Sequence, residues 1–88
     1  MRDPFMLDRF ATEEVLHSTL TRLRGRYSVL VVLERLRNEP DATRIKKWAE
    51  RAREITKIMD DMINAPLEFK KSAIKTYSKE LRMLLDFK

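Results

Sequence analysis

Tyr27–Leu33, YSVLVVL, is the stretch on which the fold turns. It follows Gly25, the only glycine in the chain, and is rich in β-branched residues. Taken alone it reads as a buried strand. A strand needs a neighbour to satisfy its backbone N–H and C=O groups, and nothing else among the 88 residues looks like a partner strand. One glycine and three prolines also provide too few turns for a β-rich fold. The stretch is therefore expected to be helical, and the chain all-α.

Read outward as a helix, the run joins Leu16, Leu20, Leu23, Tyr27 and Leu30 in a seam at spacings of four and three. Gly25, Val29, Val32 and Leu36 then fall on the opposite side. That second face needs a cover, either the third helix or a second copy of the chain. Val29, Val32 and Leu36 are accordingly the candidate dimer interface. Thr12, with Glu13 and Glu14 behind it, suits the start of this helix, because acids in a first turn complement the helix dipole. Residues 1–11 read as an N-terminal arm whose Phe5, Met6, Leu7 and Phe10 cover an end of the core.

Asn38-Glu39-Pro40-Asp41 reads as a turn, with Asp41 as N-cap of the next helix. In Asp41–Ile63, DATRIKKWAERAREITKIMDDMI, the residues Ile45, Trp48, Ala52, Ile55, Met59 and Met62 form a second seam. Pro66 suits the first position of a third helix, with Asn64 or Ala65 as its cap. Leu67, Ile74, Tyr77, Leu81 and Leu84 form that helix's seam, and Lys70 breaks one slot. The expectation is one domain of three helices, at about 12–37, 41–63 and 66–86. The first two form a long antiparallel hairpin. A chain this short buries only about two-thirds of its unfolded surface, which makes a dimer physically attractive.

The net charge of +5 is unevenly spread: residues 1–21 carry −2, residues 22–57 carry +6 and residues 58–88 carry +1. A basic block of this kind points to an anionic partner, whether nucleic acid, an acidic protein or a membrane surface, the alternative being ordinary solubility charge. No segment reaches the ~20 apolar residues of a transmembrane helix. Residues 1–12 do not read as a signal peptide, and cysteine is absent, so a cytoplasmic location without a membrane partner is expected.

Catalytic signals are missing. His17 is the single histidine, there is no thiol, and one glycine cannot make a phosphate loop, so neither cofactor nor metal is expected. Glu50, Arg53 and Glu54 match the acid, arginine and glutamate spacing of small three-helix chorismate mutases. Those enzymes also need a polar pair late in the third helix, which would fall at or beyond residue 88. The chain is read as a non-enzyme.

The basic faces carry the functional expectation. Lys46, Arg53 and Lys57 line the outer face of the second helix, and Arg44, Lys47 and Arg51 line one flank of its seam. Residues 44 to 57 span about 20 Å at 1.5 Å per residue, enough to meet several phosphates of a duplex. Glu50 and Glu54 can pair locally with Lys46, Arg53 and Lys57. On the third helix, Lys71, Lys75, Lys79 and Arg82 form a further stripe, in which Lys71 and Lys75 are candidate contacts.

A long basic helical hairpin, a proline-started third element and a dimer resemble the small nodavirus silencing suppressor that binds double-stranded RNA. Thr56–Pro66, TKIMDDMINAP, is similar to the end of that family's RNA-facing helix. The resemblance implies that Lys57, and with it Arg44, take positions of basic RNA contacts. It also implies a viral suppressor of RNA silencing that sequesters duplex RNA by shape. The alternative from another class is a small protein-interaction module, such as a viral or phage inhibitor or an assembly subunit. Such a module would use Val29, Val32, Leu36 and the Phe5–Phe10 arm.

Overall fold

The computed structural model describes residues 4–86, with side chains from Asp8 onward. Among the described residues all the regular structure is helical: α1 (Pro4–Arg35), α2 (Ala42–Met62) and α3 (Leu67–Leu85). Tyr27–Leu33 is a continuous part of α1, so the β-branched run is helical as the missing partner strand required.

The expected start of α1 is corrected. The helix begins at Pro4, and residues 4–11 are its first turns instead of a separate arm. Proline fits there because its fixed φ is already helical and its missing N–H would have had no intrahelical partner. Thr12, expected at the helix start, is buried inside the helix. Phe10 is 63% exposed and does not cover the core. The packing expected of Phe5, Met6 and Leu7 lies outside the described side chains.

The α1 seam forms as spaced, with Leu16, Leu20, Leu23, Tyr27 and Leu30 all buried. Ile55 of α2 and Ala73 of α3 complete the buried cluster, and Trp48, Met59, Met62, Ile74, Tyr77, Leu81 and Leu84 pack around it half-buried. Both α2 and α3 lean on α1 and barely on each other. The result is an elongated body of 59 × 22 × 17 Å with α1 as its backbone.

Local signals mark the starts of α2 and α3. The Asp41 carboxylate accepts from the backbone N–H of Thr43 at 2.9 Å and of Arg44 at 3.2 Å, the hydrogen bonds of an N-cap. Pro66 stands one place earlier than expected, as the N-cap of α3 itself, and makes no side-chain cap bond. Its carbonyl accepts from Lys70 N–H at 3.0 Å.

Candidate nucleic-acid interface

Helix phase divides the arginines and lysines into two sets. On an ideal helix, Lys46, Arg53 and Lys57 lie within about 40° of one another around the α2 axis. All three are exposed, as is Lys47 on the adjoining flank. None of the four has an ion pair or hydrogen bond among the described residues. The expected local neutralisation by Glu50 and Glu54 does not occur. Glu54 instead accepts from Arg51 Nη1 at 2.8 Å, and Glu50 forms no pair among the described residues.

Arg51, expected to serve phosphate, faces the other way. Its Nε and Nη2 donate to the Glu80 carboxylate at 3.0 and 2.6 Å, a bidentate bridge from α2 to α3. The Tyr27 hydroxyl of α1 donates to the same carboxylate at 2.5 Å, so the group ties all three helices together. Burial works against the Glu80 carboxylate. The Arg51 guanidinium and the Tyr27 hydroxyl outweigh that cost and hold its pKa below the usual carboxylate value. Burial, reinforced by the acceptor Glu80, pushes the Tyr27 hydroxyl up to about 12. Hydrogen bonding to Glu80 pushes Arg51 above its already high value, against the opposing pull of burial. Arg51 is therefore engaged in the fold and is removed from the candidate contact set.

The remaining candidates are shared between fold and surface. Arg44 stands beside Asp41 at 3.7 Å and Glu34 at 3.8 Å. Lys71 donates to Asp8 at 2.8 Å, and that hydrogen bond raises its pKa. Lys75 is exposed and carries no pair among the described residues. Glu50, Arg53, Glu54 and Lys57 border one shallow dip on α2, and no residue of α1 or α3 borders it with them.

Two buried charges escaped the sequence reading. Lys70 is 5% exposed and donates to Glu13 at 2.9 Å and to the Ile63 carbonyl at 3.4 Å. It joins α1, the end of α2 and α3, and its hydrogen bond holds Glu13 below the usual carboxylate value. The signal was visible as a lysine in an apolar slot. Glu34, 4% exposed, accepts from Arg37 Nη1 at 3.2 Å and from the Asp41 backbone N–H at 3.1 Å. No periodicity marks it, since its partners lie across the turn.

Two grooves flank this framework. One of about 280 Å³ is bordered by His17, Glu13, Glu14, Met59, Met62 and Lys70. The other, about 570 Å³, lies where α1 ends and α2 begins, bordered by Arg26, Leu33, Glu34, Arg37, Arg44 and Trp48. Arg26 Nε is buried there without a hydrogen-bond partner among the described residues. Among the same residues no cluster of three metal-ligating side chains occurs, and no helix is long and apolar enough to cross a membrane. No family model matches the chain, and no curated protein or solved structure shows significant similarity to it.

Proposed function

We propose that the protein binds double-stranded RNA along the outer face of α2, in the manner of a small suppressor of RNA silencing. One observation carries this reading: Lys46, Arg53 and Lys57 stand exposed on one helix face with no carboxylate paired to them. Their span is about 16 Å at 1.5 Å per residue, room for several phosphates along one strand. Lys47 adjoins this face on α2, and the exposed Lys75 is a further candidate on α3. Arg44 and Lys71 would contribute by exchanging the exposed carboxylates of Asp41 and Asp8 for phosphates. The reading takes α1 and α2 as an antiparallel hairpin. Glu34 meeting Arg44 beside the turn and Arg24 Nη1 reaching Thr56 Oγ1 at 3.4 Å farther from it support that arrangement. A-form RNA hides its major-groove base edges, so a straight helix laid on it meets phosphates and 2′-hydroxyls and is indifferent to sequence.

Binding of nuclease-treated protein to duplex RNA, duplex DNA and single strands across a salt series tests this. The expected result is a preference for duplex RNA of any sequence, with a steep salt dependence. The triple variant K46A/R53A/K57A should lose about three units of the log–log salt slope, at about 0.9 per phosphate contact. Wild-type protein that binds no nucleic acid near physiological salt overturns the proposal. The second reading, a protein-interaction module, has the exposed Val29, Val32 and Leu36 in its favour and would then take its place.

A further inference from the structure

Three arginines among the described residues are partly buried: Arg24, Arg26 and Arg51. Arg51 donates to Glu80, and Arg24 reaches Thr56 Oγ1. The Arg26 side chain makes no hydrogen bond or ion pair among the described residues. Its Nε is shielded from solvent, and an N–H in that position gains from any acceptor brought to it. The neighbourhood explains why the chain brings none. Arg26 borders the groove at the α1–α2 turn with Arg37 and Arg44, and Glu34 is the only acid of that lining. Glu34 is already shared by Arg37 at 3.2 Å, the Asp41 backbone N–H at 3.1 Å and Arg44 at 3.8 Å. Asp41 stands 3.7 Å from Arg44 but does not border the groove. The lining thus sets three guanidinium groups against one carboxylate, a surplus of two positive charges.

We propose that this groove binds a nucleotide through its terminal phosphate, with the base laid against Trp48 and Leu33. A phosphate monoester carries about −1.5 to −2 charges at neutral pH, which matches the surplus. A single carboxylate would leave half of it unmet. The planar fork of a guanidinium suits phosphate oxygens, and here Arg26 has no other claim on it. Beside the cations, Leu30, Leu33 and the half-buried Trp48 give the groove an apolar wall. An indole beside a cationic cluster favours a flat ring that bears a phosphate, and every nucleotide is such a molecule. At about 570 Å³ the groove is of the size of small-molecule sites, roughly 300–1,000 Å³. Trp48 lies about 200° from Lys46 around the α2 axis, on the far side from the outer face. Nucleotide binding here therefore does not rest on the duplex-RNA reading.

Trp48 is the only tryptophan, so its fluorescence reports on the groove directly. Titration of nuclease-treated protein with adenosine 5′-monophosphate should quench it saturably, with a Kd below about 1 mM. Adenosine, inorganic phosphate and phenyl phosphate should each bind at least tenfold more weakly. Arg26→Ala should weaken the nucleotide at least tenfold and leave the melting temperature unchanged, because that side chain bonds to nothing in the fold. Arg26→Lys should restore only part of the loss, since an ammonium lacks the fork. Short single strands with and without a 5′-phosphate separate the two sources of the group. Tighter binding of the phosphorylated strand, lost in Arg26→Ala, assigns the groove to strand ends. Strands that bind alike, while the mononucleotide is held, assign it to free nucleotide. The variant K46A/R53A/K57A should keep the nucleotide while losing duplex RNA, so the two proposals fail separately. No saturable quenching, equal binding of phenyl phosphate or inorganic phosphate, or an Arg26→Ala variant that binds like wild type overturns the inference.

Discussion

Arg51 and Arg53 stand two residues apart on α2 and have opposite roles. Two residues are a turn of about 200° around a helix, so one guanidinium points at α3 and the other at solvent. Arg51 donates two bonds to Glu80 and one to Glu54, while Arg53 has no partner among the described residues. The lesson is that a count of basic residues overstates the charge available to a ligand. What matters is helix phase, together with whichever carboxylates the tertiary register delivers.

Four measurements break or sharpen that contrast. Arg51→Ala should have the largest effect, a loss of about 2–3 kcal/mol in urea unfolding, because Glu80 is left partly buried without its cation. The acid limb should change with it. Glu80 has a lowered folded pKa, so its stabilisation is present above the ordinary carboxylate range and fades as pH falls through the folded value. Stability that falls less steeply on acidification below the ordinary carboxylate range in Arg51→Ala than in wild type is the expected outcome. A parallel pH dependence would mean that the pair is not formed.

Trp48→Ala comes next. The ring packs against the core cluster but is only half-buried, so about 2 kcal/mol is expected, below the cost for a fully enclosed aromatic. An unchanged melting curve with collapsed RNA binding would instead place Trp48 on the contact side of the molecule.

Tyr27→Phe removes one hydrogen bond to Glu80, worth about 1 kcal/mol at neutral pH. Tyr27 has a folded pKa of about 12 against an ordinary value of 10.0, so its contribution is complete below pH 10 and is lost as pH rises toward 12. The phenylalanine variant should lack that alkaline loss, which a pH series of thermal melts would show. Arg53→Ala is the smallest in stability, within about 0.5 kcal/mol of wild type. If the α2 face meets phosphate, the same change lowers the salt slope by about one unit. A large stability loss would show that Arg53 belongs with Arg51.

These contrasts also show what the sequence could carry. The three seams were legible because burial follows a 3.6-residue period, and Leu16, Leu20, Leu23, Tyr27 and Leu30 obey it. Asp41 was legible because a cap is a contact two or three residues long. The start at Pro4 was not, because Phe5, Met6 and Leu7 stand close together among charges and lack helical spacing. Nor was the Arg51–Glu80–Tyr27 group, whose bonded pairs are 29 and 53 residues apart and meet only through the register of three packed helices. The outer α2 face was legible for the same reason as the seams, being their complement. What the period could not say is which of its carboxylates would be diverted, as Glu54 is.

The placement of α2 and α3 side by side on α1, joined to each other mainly through Arg51 and Glu80, has a consequence for how the chain opens. Besides its apolar seam and the Arg51–Glu80 bridge to α2, α3 is linked to α1 at three levels, by Asp8 with Lys71, Glu13 with Lys70, and Tyr27 with Glu80. Two of those links are polar contacts between the N-terminal half of α1 and the start of α3. Fraying of α1 from Pro4 past Glu13 would release both while leaving the α1–α2 contact near the turn intact. Amide hydrogens of α3 should therefore exchange with solvent as one cooperative block, ahead of those flanking Ile55 and Leu23.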